Sequence, residues 1–128
     1  MEYVEARRPD HATNPRGETF TGQVWAEKKL SEPGVTMNRV TFGPGARTYW
    51  HRHEQGQILS IASGKGYVGN REGEIVIVGE GDTVWSPPGE EHYHGALEES
   101  MMIHDAVSLG TIEWLEEVTD DEYGRAVE

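Results

Sequence analysis

The sequence lacks cysteine altogether, and this absence excludes both disulfide bonds and thiolate metal sites. Its longest apolar runs extend over only a few residues, which is too short to cross a membrane. The first residues contain no apolar segment of the kind found in signal peptides. These absences predict a cytoplasmic protein that has no membrane partner.

Positive charge is also scarce. Lys and Arg total 11 against 23 Asp and Glu, which gives a formal net charge of −12. A field of that sign repels phosphate backbones, so we expect no nucleic acid among the partners of this chain. An anionic substrate would have to be attracted locally, by a metal ion, against the overall field.

Glycine, in contrast, is abundant, with 16 residues in a chain of 128. Between positions 43 and 95 the glycines separate short runs rich in β-branched and aromatic residues. Many short strands divided by Gly and Pro turns predict an all-β sandwich or barrel. We expect strands near Thr19–Glu27, Val35–Phe42, Arg47–His53, Gln57–Ala62, Gly66–Gly69, Glu74–Val78, Thr83–Ser86, His92–Gly95, Met101–Val107 and Thr111–Leu115.

The chain divides into a central barrel and two polar ends. Residues 1–18 are polar and predict an N-terminal arm that is disordered or lies along a neighbour. Residues 19–116 supply the barrel, and residues 117–128 form an acidic tail. Within the barrel, the run from Ile75 to Val78 is uniformly apolar and β-branched, which is typical of a strand covered on both faces.

The acidic tail is predicted to be a short helix or irregular. Thr119 has the position of an N-cap, and Glu122, three residues later, that of its capping-box partner. Val118, Tyr123 and Val127 would then lie on one face of a final helix.

The run Trp50-His51-Arg52-His53 contains the first candidate ligands. In a strand, residues two apart point to the same side, so both imidazoles project together, roughly 7 Å apart along the backbone. They can therefore converge on one ion. Gly56 permits a sharp turn, after which the amide oxygen of Gln57 could reach the same point.

A second pair repeats this alternation at His92 and His94, so one or both of these histidines face inward. A lone His-x-His pair is often only a surface or packed pair. A third inward histidine behind a second glycine turn favours a metal site.

Two spaced motifs resemble those of the cupin superfamily. The first, G-x5-H-x-H-x3-E-x6-G, has its spacing at Gly45, His51, His53, Gln57 and Gly64. The second, G-x5-P-x-G-x2-H-x3-N, has its spacing at Gly81, Pro87, Gly89, His92 and Ala96. The resemblance implies a single jelly-roll β-barrel with one divalent metal ion bound by His51, His53, Gln57 and His92.

Two motif positions differ, since Gln57 replaces the usual glutamate and Ala96 replaces asparagine. A neutral amide beside three neutral imidazoles leaves the full formal charge on the ion, which makes it a stronger Lewis acid. Gln57 could instead point away, leaving a three-histidine site with more open positions.

A narrower resemblance is to small bacterial cupins that include manganese-dependent mandelonitrile lyases and proteins described as quercetin-dioxygenase-like. It is carried by the runs Thr48–His53, Gly81–Ala96, Met102–His104 and Glu113–Asp120. Those lyases use histidines that match His94 and His104 beside the metal. The chain departs from them at Glu91, at Tyr93 and at the pair Glu54-Gln55, so the resemblance leaves the substrate open.

Independently of the family, strand alternation gives His94 the same face as His92, and His104 the same face as Met102 and Ala106. Inward imidazoles that are not needed as ligands suit proton transfer, so His94 and His104 are candidate catalytic residues. The alternative is that both are core histidines satisfied by backbone carbonyls.

Together these features predict a metal-dependent lyase acting on a small hydroxylated organic molecule, similar to a hydroxynitrile lyase. Its metal would be Mn²⁺ or Fe²⁺, with Zn²⁺, Ni²⁺ and Cu²⁺ also compatible with nitrogen and oxygen ligands. The alternatives are an Fe- or Mn-dependent dioxygenase of the quercetinase type and a non-enzymatic module that binds a metal or small ligand. We also expect a homodimer, because Thr19–Glu27 has no obvious hairpin partner and could join a neighbour's sheet edge.

Overall fold

The computed structural model describes residues 1–6 and 13–124, and none of these residues lies in a helix. The described part of the chain therefore contains no helix that could cross a membrane. Its strands are β1 (Asn14–Arg16), β2 (Phe20–Thr21), β3 (Val24–Glu32), β4 (Val35–Phe42), β5 (Arg47–Thr48), β6 (His51–His53), β7 (Gln57–Asn70), β8 (Ile75–Gly79), β9 (Thr83–Ser86), β10 (His92–Ala96), β11 (Met102–Leu109) and β12 (Ile112–Trp114).

The strands form two antiparallel sheets that share β7 and enclose a nearly closed barrel. The first half of β7 pairs with β11 and β9 in sheet A, which continues through β4 and β3 to β1. The second half pairs with β8 and β10 in sheet B, which also contains β2, β5, β6 and β12. The all-β barrel expected from the sequence is confirmed.

Strand β7 passes from one sheet to the other where two separate strands were predicted. Gly64 has a φ of 77°, a left-handed conformation that favours glycine. A side chain there would also collide with the carbonyl of Met101, the residue before the neighbouring strand β11. Gly64 therefore marks a bend within β7 and not the end of a strand.

The barrel interior is filled by alternate residues of both sheets. On β7, for example, Leu59 and Ile61 are buried, while Ile58 between Gln57 and Leu59 is exposed. Each fully buried aliphatic side chain contributes about 1.5–3 kcal/mol. The buried apolar cluster consists of Val24, Ala26, Val40, Phe42, Ala46, Leu59, Ile61, Val68, Val78, Ala96, Met102 and Ala106.

The expectation that the run from Ile75 to Val78 is covered on both faces is wrong. Val76 is 41% exposed and Ile77 55% exposed, whereas Val78 is buried. Strand β8 pairs with β7 alone among the described residues, so it lies at the margin of sheet B. A marginal strand is packed on fewer sides than a central one, and the apolar pattern alone does not distinguish the two.

The last described residues cross the outer face of sheet B and form no helix. Thr119 and Glu122 form the two hydrogen bonds of a capping box. The backbone N–H of Thr119 donates to Oε1 of Glu122 at 3.0 Å, and the backbone N–H of Glu122 donates to Oγ1 of Thr119 at 3.3 Å. Residues 120–124 nevertheless form only a turn, and Val127 lies outside the described residues. Tyr123 fixes the turn, because its hydroxyl donates to the carbonyl of Ala96 at 2.6 Å.

The N-terminal strands have partners within the chain. Val24–Glu32 forms an antiparallel hairpin with β4, so the premise that this region lacks a hairpin partner was wrong. Asn14–Arg16 pairs with β3 at the edge of sheet A. Because these strands are paired within the chain, the prediction of a dimer cannot rest on an unpaired N-terminal strand.

Candidate metal centre and active site

Three histidines meet inside the barrel because β6 and β10 are antiparallel neighbours. His51 lies directly opposite His92, and alternation places His53 on the same side as His51. The potential ligand atoms of the three rings all lie within 4.8 Å of one another. All three side chains are buried.

The turn after β6 brings Gln57 to the same point. Gly56 has a φ of 96°, and a side chain at this position would collide with Trp85 and the carbonyl of Ser86. Gln57 follows as the first residue of β7, is buried, and holds its Oε1 2.9 Å from Nε2 of His92.

Two backbone carbonyls fix which ring nitrogens carry hydrogen. Nδ1 of His51 lies 2.9 Å from the carbonyl of Tyr49, and Nδ1 of His92 lies 3.1 Å from that of Glu90. A carbonyl can only accept, so each Nδ1 donates and each Nε2 of the neutral ring keeps a lone pair. Burial lowers the pKa of His92 to about 4 and that of His51 well below its ordinary value, which keeps both rings neutral at pH 7.

The amide of Gln57 is held by the opposite strand. Its Nε2 donates to Oγ of Ser108 at 3.0 Å, which leaves Oε1 beside Nε2 of His92. Two acceptor atoms 2.9 Å apart could both bind one cation, whereas the same amide turned over would instead donate a hydrogen bond to Nε2 of His92.

His53 completes this donor set. Neither of its ring nitrogens has a hydrogen-bond partner among the described residues, although the side chain is buried. Burial, with a smaller contribution from His92, lowers its pKa to about 4. An unpartnered buried imidazole is costly, and three imidazoles with an amide oxygen fit a divalent transition metal.

The two candidate catalytic histidines form a pair beside this cluster. Nε2 of His104 lies 2.8 Å from Nδ1 of His94, so one ring donates to the other. The remaining nitrogens, Nε2 of His94 and Nδ1 of His104, have no partner among the described residues. Burial lowers the pKa of His104 to about 4, and burial together with His104 lowers that of His94 well below its ordinary value. The pair is therefore neutral at pH 7, and although it has ring nitrogens without a partner among the described residues, the lowered pKa makes each imidazole a weak base.

A cavity of about 890 Å³ reaches the cluster at His53. Phe20, Ile112 and Trp114 form part of an apolar wall, and sheet A contributes polar side chains. The cavity suits a small organic molecule that has both apolar and hydrogen-bonding groups. Its polar lining residues include Thr36, Asn38, His53 and Ser108.

Sequence reasoning overlooked two of these polar residues. Ser108 orients Gln57, and Oδ1 of Asn38 is buried without a hydrogen-bond partner among the described residues. Ser108 follows His104 by four residues on β11 and so shares its inward face, a signal that alternation could have provided. Asn38 alternates in the same way with Val40 on β4.

Comparisons with known proteins identify relatives of this chain. A family model described as a cupin domain matches residues 38–106. The (R)-mandelonitrile lyase of Granulicella tundricola is 36% identical over 131 residues, which cover 95% of this chain and 100% of that protein.

Solved structures are similar as well. A cupin-like protein from Thermotoga maritima is 35% identical with a TM-score of 0.84, covering 93% of this chain and 97% of that one. A polyketide cyclase from Streptomyces resistomycificus, 16% identical, shares the fold with a TM-score of 0.74, covering 99% of this chain and 94% of that one.

Proposed function

The chain belongs to the cupin superfamily, and from that premise we propose that it is a metal-dependent lyase acting on a small hydroxylated organic molecule. The observation that carries the proposal is the set of lone pairs that converge from three neutral imidazoles and one amide oxygen, next to the neutral pair His94–His104. The mandelonitrile lyase at 36% identity supports a hydroxynitrile as the first substrate to test.

The ligands we propose are His51, His53, His92 and Oε1 of Gln57, and the metal Mn²⁺ or Fe²⁺. A divalent ion held there would polarise the oxygen of a substrate hydroxyl or carbonyl. The carbonyls of Tyr49 and Glu90 orient two of the imidazoles, and such outer partners typically affect metal affinity strongly.

In the proposed reaction, side chains of the site have one proton to transfer. In cleavage of a hydroxynitrile, the His94–His104 pair accepts the hydroxyl proton as the carbonyl forms and the bond between carbon and cyanide breaks. The electron pair of that bond leaves with cyanide, and the same histidine pair returns the proton to give hydrogen cyanide. No electrons are gained or lost overall, so the reaction needs no oxidant.

The ligand set is tested by metal content. His51→Ala, His53→Ala and His92→Ala should each lose the metal and, with it, the thermal stability that a bound ion gives the folded state. Gln57→Glu should retain the metal more tightly because it adds a negative charge to the site, whereas Gln55→Glu adds the same charge outside it. Unchanged metal content in all three histidine variants would contradict the site.

The reaction is tested by anaerobic turnover of mandelonitrile and aliphatic hydroxynitriles, with the chain loaded with Mn²⁺ or Fe²⁺. Release of aldehyde and cyanide without oxygen is the expected result. Turnover that requires oxygen would indicate the dioxygenase instead. A metal-loaded chain that turns over no substrate with or without oxygen would indicate a non-enzymatic binding module.

We also propose a homodimer, formed through the outer face of sheet A. Directly paired residues form one apolar row across five strands of this face, and Trp85 in that row is 52% exposed. The neighbouring row contains the ion pair of Arg39 and Asp105 together with Glu27, so the net charge of these three residues is only −1 on a chain of net charge −12. Light scattering that gives the 14.3 kDa of one chain would contradict the dimer. The apolar row is Trp85, Ile58, Val107, Met37 and Leu30.

A further inference from the structure

Two separate cavities reach the candidate metal centre. The first, described above, is lined by His53. The second, of about 470 Å³, lies between β8 and β9 and is lined by His92. The two share no lining residue among those described, so the ligand cluster can be approached from two sides.

The second cavity is acidic. Its lining includes Glu74, Asp82 and Glu90, and no Lys or Arg is among its described lining residues. Nδ2 of Asn70 donates to Glu74 at 3.1 Å and to Glu90 at 3.3 Å, so one amide draws two carboxylates together. The first cavity has no such excess, since Arg16 accompanies Glu18 in its lining.

A buried hydroxyl lies on the same cavity. Ser86 is 2% exposed, and its Oγ has no hydrogen-bond partner among the described residues. It lines the second cavity with His92 and pairs across the sheet with Gln57. A buried hydroxyl without a protein partner leaves its oxygen available to an ion on this cavity.

We propose that the second cavity is the path by which the divalent cation reaches the histidine cluster, with Glu74 and Glu90 as its outer capture site. Carboxylate, amide and hydroxyl oxygens are ligands that divalent cations accept. A cleft lined by one sign of charge raises the rate of association with an oppositely charged ligand. The inference depends on the proposed function only in that the histidine cluster must bind a cation, and it leaves the first cavity to the substrate.

The test follows Co²⁺ uptake by the metal-free chain in stopped flow, using the visible absorption of the bound ion. The variant Glu74→Gln/Glu90→Gln should bind Co²⁺ about tenfold more slowly, because two charges are lost from the entrance. Its dissociation rate should fall in parallel, so the equilibrium affinity stays nearly the same. Glu98→Gln/Glu99→Gln is the matched control, since it removes two exposed charges elsewhere and should bind at the rate of the unmodified chain. Ser86→Ala should slow uptake to a smaller extent.

Equal association rates in Glu74→Gln/Glu90→Gln and the unmodified chain would overturn the path. Equal slowing in Glu98→Gln/Glu99→Gln would also overturn it, because the effect would then come from overall charge. An unmodified chain that binds no Co²⁺ would contradict the metal site and the path together. If the unmodified chain binds Co²⁺ and Glu74→Gln/Glu90→Gln binds it at the same rate, the path alone is contradicted and the metal site is not.

Discussion

The two faces of β10 are equally buried and chemically opposite. On the inward face, His94 has a ring nitrogen with no hydrogen-bond partner among the described residues. On the outward face, Tyr93 packs against Trp50 and Tyr123 with ring centroids 5.0 and 5.3 Å away. The Tyr93 hydroxyl also accepts from the backbone of Gly124 at 3.2 Å.

The inward face of β10 therefore serves the chemistry of the site, and its outward face serves the stability of the fold. A buried polar group without a partner costs about 1–3 kcal/mol, so the inward face weakens the fold. The outward face, covered by the C-terminal segment, contributes apolar burial and aromatic contacts that offset this cost. Substitutions on the inward face should therefore change activity more than stability, and those on the outward face the reverse.

The largest effect is expected from His94→Ala on the inward face. Removing a general base typically lowers turnover by about 10²–10⁴-fold. The metal should be retained, because His94 is not among the proposed ligands. Parallel measurement of turnover and metal content checks this, with His104→Ala expected to lose less activity. Loss of metal in His94→Ala would make this residue a ligand.

Tyr93→Ala tests the outward face. Truncating a large buried aromatic side chain costs about 3–5 kcal/mol of unfolding free energy. Tyr93→Phe keeps the ring and loses one hydrogen bond, so it should cost only about 1 kcal/mol. Denaturant unfolding gives both values, and turnover per folded molecule should stay close to that of the unmodified chain. A Tyr93→Ala chain as stable as the original would refute the division between the faces.

The pH dependence of stability tests the cost of the buried histidines inside the barrel. His104 has a pKa of about 4 in the folded chain against 6.5 for an ordinary histidine, because burial disfavours its charged form. The unfolded chain therefore binds more protons between these values, and stability falls as pH falls from 6.5 to 4. The loss from this residue alone is about 3 kcal/mol. Thermal unfolding of the metal-free chain measures it, and His104→Leu should flatten the curve.

The smallest effect is expected on the surface of sheet A. Both nitrogens of the Arg39 guanidinium that face Asp105 donate to its carboxylate at 2.9 Å, and this pairing lowers the pKa of Asp105. The pair therefore stabilises the fold above the ordinary carboxyl pKa and loses its effect in acid. Arg39 is 41% exposed, so Asp105→Asn should cost less than about 1 kcal/mol. Urea unfolding of both chains at neutral pH checks this, and a larger cost would indicate that the pair is buried by a second copy.

The sequence predicted those parts of the site that depend on local pattern. Alternation along the strand predicted that His51 and His53 share one face, whereas their meeting with His92 depends on the pairing of β6 with β10. The same alternation predicted that His94 and His104 each face inward, while the hydrogen bond between them depends on how β10 and β11 lie in the barrel.

The remaining features depend on which strands become neighbours. The hydrogen bond between Gln57 and Ser108 exists because β7 and β11 pair in one particular register. The exposure of Ile77 follows from the position of β8 at a margin, which an apolar run does not reveal. The turn at Tyr123 replaces a helix because its hydroxyl bonds to Ala96 on a distant strand. None of these long-range pairings can be read from residues close in sequence.

The pairing of β12 with β6 has a consequence for synthesis on the ribosome. Strand β6 carries two of the proposed ligands, and its neighbour β12 follows it only after five further strands. Because a chain is made from its N-terminus, His51 and His53 leave the ribosome well before the strand that fixes them. The nascent chain therefore exposes two imidazoles before β10 and β12 are available to hold them, and the candidate metal centre can mature only after residues 112–114 have been made.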